Sequence, residues 1–126
     1  PWQHVLEALS GYLHLAYKLD KEKKINGQSF NFSNNKIKNY TVLKFIKGIK
    51  NYWKTASWKI VKKSNFYEST LLQLNSTKAK KLLNWNNKLK LSETIKLVGE
   101  WYQKYYSTNK KKVLTKNQIL MYMKKK

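Results

Sequence analysis

Ser29-Phe30-Asn31-Phe32 is the stretch on which the fold reading turns. Its polar–aromatic alternation has the two-residue period of a half-buried strand. Before it, Leu6, Leu9, Leu13, Ala16 and Tyr17 recur three and four apart, which predicts an amphipathic helix over 7–19. After it, Val42, Phe45, Ile46, Ile49 and Trp53 repeat that spacing, with Lys44, Lys47 and Lys50 on the other side. Thr41 stands where a helix cap is needed, so a second helix is expected to run to about residue 53. A strand between two such helices predicts an α/β chain.

Working outward, residues 2–5 read as a short extended lead-in, 21–27 as a polar turn and 33–40 as a polar loop. A second short strand is expected at 58–61, then a polar turn over 62–69. The apolar run 71–74 fits strand or helix equally. Ser76 is expected to cap a brief helix through residue 83, and Ser92 a stronger one from 93 to about 105. That helix has Ile95, Val98, Trp101, Tyr102 and Tyr105 as its core face. Thr115 is expected to cap a short terminal helix that offers Ile119, Leu120 and Met123 to a partner surface. The chain thus divides into a packed portion, 1–106, and a lysine-rich link with a terminal helix, 107–126. Two or three short strands make a poor central sheet for so much apolar helix surface, so further strands are expected upstream. The absence of an initiator Met before Pro1 points the same way.

Composition narrows the function classes. The 126 residues are 41% hydrophobic, near the globular norm and too apolar for a disordered polyelectrolyte. All 27 basic residues are lysines, set against six acidic ones, for a net charge of +21. Such a charge attracts any polyanion. Guanine edges and bidentate phosphate clamps favour arginine, however, and the lysines are spread along the chain among thirteen asparagines. Specific nucleic-acid binding is therefore the lesser alternative, and a lysine-biased surface the leading account. The lack of cysteine rules out disulfides and thiolate metal sites. No apolar run approaches the length of a spanning helix, and no signal-peptide pattern opens the chain. A cytoplasmic protein with no membrane partner is the expectation.

Few residues carry chemistry. His4 and His14 lie ten apart with no second ligand at metal-binding spacing. His4 follows Gln3 at an expected strand-to-helix junction. It is either a packed or capping side chain, or a contact with substrate or a catalytic domain. Glu7 lies in a first helical turn, where the macrodipole favours an anion. Glu68 lies in a turn, and the two carboxylates form a pair only if the fold brings them together. Gly11 is either a soft spot in its helix or the mark of another element's close approach. Gly11, Gly27, Gly48 and Gly99 are isolated, so no phosphate-cradling loop exists. A Tyr-x-x-x-Lys spacing at Tyr40 and Lys44 straddles a helix cap and reads as chance. No nucleophile, general base or cofactor cradle emerges.

The opening Pro1-Trp2-Gln3-His4-Val5-Leu6-Glu7, followed by Leu9-Ser10-Gly11-Tyr12-Leu13, resembles the carboxy-terminal part of CDP-glucose 4,6-dehydratases. These are extended short-chain dehydrogenase/reductases acting on nucleotide sugars. The similarity continues in order through Phe30-Asn31-Phe32, Thr41-Val42-Leu43, Tyr52-Trp53 with Trp58, and Leu72-Gln73-Leu74-Asn75-Ser76-Thr77-Lys78-Ala79. It ends in Glu100-Trp101-Tyr102 and Thr115-Lys116-Asn117-Gln118-Ile119. Tyr67-Glu68-Ser69 stands where the family has His-Glu-Ala. Ser33 and Asn84 each replace a glycine. The opening motif is quite specific, whereas the Lys-Ala and Trp-Tyr motifs are shared with many nucleotide-sugar epimerases.

The resemblance implies a helix-rich α/β substrate-binding portion that lacks most of a Rossmann domain. An upstream catalytic segment would hold NAD, with none held by this chain alone. The reaction would be NAD-dependent loss of water from CDP-glucose to a 4-keto-6-deoxy sugar, with this chain contributing substrate contacts and inactive by itself. The substrate contacts it implies are Trp2, Gln3 and His4 at the junction and Tyr67 and Glu68 near the nucleotide. A homodimer of the full enzyme would fit the family. A fragment of an epimerase or reductase acting on nucleotide sugars is the nearest alternative.

Overall fold

The computed structural model describes residues 2–34, 40–61, 73–108 and 111–125, without the side chains of Lys111 and Lys112. The described residues form five α-helices: α1 (Val5–Lys21), α2 (Val42–Lys50), α3 (Thr77–Leu83), α4 (Leu91–Ser107) and α5 (Lys111–Lys124). A 3₁₀ turn, Lys23–Ile25, follows α1. The described residues contain no strand, so the expected α/β class is wrong. The helices pack as α1 on α3, α2 on α4 and α4 on α5.

The physical reason lies in what the backbone at 29–34 bonds to. The Phe32 carbonyl accepts from Gln3 Nε2 at 2.9 Å, and the Ser33 carbonyl accepts from Ser76 Oγ at 2.9 Å. Side chains thus occupy acceptors that a neighbouring strand would have used. The aromatic alternation serves a different purpose. Phe32 is buried with Ile25, Ala79, Leu83 and Trp85, and Phe30 and Leu15 pack against that cluster. Its ring meets Trp85 edge-on, centroids 5.1 Å apart. The expected strand at 58–61 is also absent; Trp58, Ile60 and Val61 are exposed and irregular.

Gly11 shows why Phe32 sits where it does. A Cβ at that position would overlap the Phe32 ring. The glycine marks the close approach of another element. The burial of α1 departs from its apolar stripe. Leu9, Leu13 and Tyr17 are exposed, at 47%, 73% and 59%, while Glu7 and Gly11 are the buried residues of the helix. Glu7, Gly11 and the half-buried Leu15 lie four apart and form the inward face.

The second packing centre joins α2 to α4. Ile95 lies against Gly48, and Gly99 admits Tyr52 and the Ile49 carbonyl. Beyond it, Trp53 stacks on Tyr102 and Tyr106 at 5.0 and 5.6 Å. Of the expected α4 core face, Ile95 is buried and Val98, Trp101 and Tyr105 are half-buried, while Tyr102 is exposed.

The caps divide in the same way. Thr41 caps α2 as expected, its Oγ1 accepting from the Lys44 N–H at 3.2 Å. Ser76 precedes α3, but its hydroxyl is given to Ser33, and Asn75 Oδ1 takes the Thr77 N–H instead. Ser92 lies inside α4; there Glu93 reaches back to the Lys90 N–H at 2.7 Å. Thr115 lies inside α5, where its Oγ1 accepts from Trp101 Nε1 at 3.1 Å. Asn84 ends α3 at φ 55°, a left-handed conformation that asparagine tolerates better than most residues.

Candidate functional site

The segment before α1 is tied down by side chains. Trp2 Nε1 donates to the Tyr40 carbonyl at 2.6 Å, and its ring stacks on Phe45 at 4.2 Å. Gln3 Nε2 donates to Phe32, as above, while Gln3 Oε1 is buried without a partner. His4 is buried and caps α1, with Nδ1 accepting the Leu6 N–H at 3.3 Å. That bond requires Nδ1 to be unprotonated. Burial accordingly pulls the His4 imidazole below its ordinary value of 6.5. The capping reading of His4 therefore describes what its ring does.

Beside this segment lies a cleft of about 290 Å³. His4, Val5 and Leu6 form one wall, and Val98, Trp101, Tyr102, Thr115, Gln118 and Ile119 form the others. Gln118 Nε2 donates to the Leu97 carbonyl at 2.8 Å, bracing α5 on α4. The cleft is mostly apolar and offers a surface for an aromatic or aliphatic group. Of the predicted junction residues, His4 lines this cleft, whereas Trp2 and Gln3 are turned to Tyr40 and Phe32. Tyr67 and Glu68 lie outside the described residues.

Glu7 has a larger role than the helix dipole. Its Oε1 accepts the N–H groups of Lys88 and Leu89 at 2.9 and 2.6 Å. Its Oε2 faces the Tyr122 hydroxyl at 2.9 Å. Trp85 Nε1 donates to Ser10 Oγ at 2.9 Å, one turn away. The carboxylate therefore joins α1, the segment before α4, and the end of α5. Every contact stabilises the fold, and the group is 1% exposed. Nothing in the sequence links residue 7 to residue 122, so neither spacing nor periodicity marks this hub.

The glycines sit apart, and the described residues contain no strand–turn–helix unit that could cradle a dinucleotide. No group of three or more histidine or acidic side chains among the described residues is arranged to hold a metal ion. No described helix is long and apolar enough to cross a membrane.

Comparison with known proteins gives one informative result. The chain is 30% identical over 124 residues to the CDP-glucose 4,6-dehydratase of Salmonella typhimurium. The match takes in 98% of this chain and 34% of that protein, so the chain spans about a third of its relative's length. No family model matches the chain, and no solved structure matches it significantly. The link is to a nucleotide-sugar dehydratase in general terms.

Proposed function

We propose that this chain is the substrate-side portion of a nucleotide-sugar 4,6-dehydratase. In this reading it acts with a Rossmann segment that binds NAD and carries the catalytic residues. The similarity to CDP-glucose 4,6-dehydratase over 98% of the chain carries the reading. CDP-glucose is the proposed substrate, and dehydration to the 4-keto-6-deoxy sugar the proposed reaction. When bound to the partner segment, NAD would supply the transient oxidation that water loss requires. A homodimeric, cytoplasmic holoenzyme is part of the proposal.

The chain's own share is binding and orientation. The exposed α1 stripe of Leu9, Leu13 and Tyr17 supports a partner on that side, because helices of this composition normally bury such a face. Trp2, Gln3 and His4 are held rigidly at the start of α1. In the proposal they form the junction against which the nucleotide sugar is placed, with Tyr67 and Glu68 contributing to the nucleotide wall. The unpartnered Gln3 Oε1 is an acceptor that a hydroxyl donor would satisfy.

The test supplies the missing half. The chain is co-expressed with a Rossmann segment of the dehydratase family, and the pair receives NAD and CDP-glucose. A 4-keto-6-deoxy product supports the proposal. Inversion at C4 without loss of water replaces it with an epimerase reading. Failure of the two pieces to associate, with no turnover, overturns it.

A further inference from the structure

Of the thirteen asparagines in the chain, only Asn26 is followed by glycine. The pair forms the corner of the turn that leaves the 3₁₀ segment. Asn26 has φ −62° and ψ 139°, Gly27 has φ 73°, and the Gln28 N–H donates to the Ile25 carbonyl at 3.2 Å. These are the marks of a type II turn, whose second corner residue needs a positive φ. Asn26 and Gly27 are both exposed, and a Cβ at Gly27 would meet no atom within 4 Å. Neither the Asn26 side chain nor the Gly27 N–H makes a hydrogen bond among the described residues. Asn75, which precedes Ser76, is held differently. Its Oδ1 accepts the Thr77 N–H at 2.8 Å, and Ser76 is buried. At Asn26, by contrast, an unbonded amide carbon stands next to an unhindered, unbonded backbone nitrogen.

We propose that Asn26 is a spontaneous modification site, at which the chain passes through a cyclic imide to isoaspartate and aspartate. Hydroxide takes the Gly27 amide proton, and the Gly27 nitrogen attacks Asn26 Cγ. The N–Cγ bond forms, the Cγ–Nδ2 bond breaks, and Nδ2 leaves as ammonia with a proton from water. Water then opens the imide at either carbonyl. Breaking the new N–Cγ bond gives aspartate, and breaking the original peptide bond gives isoaspartate. Nothing is oxidised or reduced, and the net charge of +21 falls by one. Ring closure needs Asn26 ψ to turn from 139° to a negative value. Two exposed hydrogen bonds span the turn and oppose this: the one to the Ile25 carbonyl, and Gln28 Nε2 to the Lys24 carbonyl at 2.7 Å. Such local openings are cheap beside global unfolding. The isoaspartyl product matters to the fold, because it adds a methylene to the backbone between Ile25 and Phe32, which share the buried cluster. The proposal is independent of the nucleotide-sugar reading.

The test follows the folded chain during incubation at neutral and at mildly alkaline pH. Tandem mass spectrometry of its peptides locates each amide-to-acid conversion, and an isoaspartyl-specific methyltransferase with labelled methyl donor reports the isoaspartyl share. Asn26 should convert ahead of Asn75, faster at the alkaline pH, and give both products. A short peptide of residues 22–30 supplies the unfolded rate. The folded chain should react within about a hundredfold of it, the cost of releasing two exposed hydrogen bonds. Asn26→Gln keeps an amide but would have to close a larger ring, so methyl labelling should fall away. Conversion of Asn75 ahead of Asn26, no product at Asn26 while the peptide reacts, or undiminished labelling in Asn26→Gln would each overturn the proposal. Thermal melts then compare the isoaspartyl form, separated by chromatography, with Asn26→Asp, which carries the same charge on an unaltered backbone. The isoaspartyl form should melt lower. Equal melting would overturn the claim that this turn spaces Ile25 from Phe32.

Discussion

The Tyr122 hydroxyl and Glu7 Oε2 meet at 2.9 Å across 115 residues of sequence. The same phenol lies 2.9 Å from Ser10 Oγ, but it has one proton and gives it to the charged acceptor. This contact closes the molecule by fixing the end of the last helix to the first turn of the first. Replacing Glu7 by Ala would strand the N–H groups of Lys88 and Leu89 as well as the phenol. A loss of about 3 kcal/mol or more is expected. Glu7→Gln keeps an acceptor for the two N–H groups, so its loss should be about 1 kcal/mol. Urea unfolding measures both, and a loss below about 1 kcal/mol in Glu7→Ala would show that the carboxylate is not the hub.

Burial is the main cause that raises the Tyr122 phenol above its ordinary 10.0, with the Glu7 carboxylate adding to it. The sign follows from linkage. Above about pH 10 the unfolded phenol ionises while the native one stays neutral, so this residue's share of stability falls as pH rises further. Tyr122→Phe should therefore flatten the alkaline decline while costing about 1–2 kcal/mol at neutral pH. Unfolding at pH 8 and pH 10.5 in both proteins checks this; parallel declines would count against it.

Gly11→Ala sets two effects against each other. Helix propensity gains about 1 kcal/mol, but the new methyl overlaps the Phe32 ring. Overpacking of a filled core costs about 1–3 kcal/mol, so net destabilisation is expected. The double variant with Phe32→Leu should lose less than the two single losses added together, because the smaller side chain relieves the overlap. Thermal melts of the four proteins decide it, and strict additivity would mean that the glycine is there for some other reason.

What the sequence disclosed was local. The Thr41 cap and the existence of the helices follow from residues within one turn of one another. Ser76, Ser92 and Thr115 carry the same local signal, yet Ser76 and Thr115 bond to distant groups and Ser92 lies inside its helix. The alternation at 29–32 misled because aromatic residues two apart suit either a sheet face or a wedge between helices. Only the partners of the Phe32 and Ser33 carbonyls distinguish these. The α1 stripe likewise shows an apolar side but not which side the rest of this chain covers. At the candidate cleft, His4 was singled out from its place at a helix start, and it lines one wall. The cleft walls from α4 and α5 were not, since packing alone brings Trp101 and Ile119 to His4.

His4 predicts an acid sensitivity at the other end of the scale. Its Nδ1 caps α1 only when unprotonated, and burial holds the native imidazole below 6.5. Between pH 6.5 and the lower native value, the unfolded state binds the extra proton. Stability is therefore complete above that window and falls as pH drops through it. His4→Asn supplies a non-titrating cap and should remove this part of the decline, at a cost of less than about 1 kcal/mol at pH 7.5. Urea unfolding from pH 7.5 to 5 in both proteins checks the claim; an unchanged slope in His4→Asn would place the sensitivity elsewhere.

The net charge of +21 is opposed by few contacts, because the chain has only six acidic residues. Four ion pairs join described residues: Lys18 and Lys24 with Glu22, Lys96 with Glu100, and Lys125 with Glu93. These are surface pairs of small individual value. Repulsion among the remaining lysines acts over a Debye length that shrinks from about 30 Å at 0.01 M to about 8 Å at 0.15 M salt. Added salt weakens the few attractions too, but the repulsive terms outnumber them. Tm should therefore rise with sodium chloride over this range, by about 4 °C or more if the relief amounts to about 1 kcal/mol. Lys116→Glu with Lys124→Glu lowers the net charge by four and should shrink that rise. A Tm that falls with salt would mean that attraction dominates the surface, and an unchanged rise in the variant would assign the effect to something other than net charge.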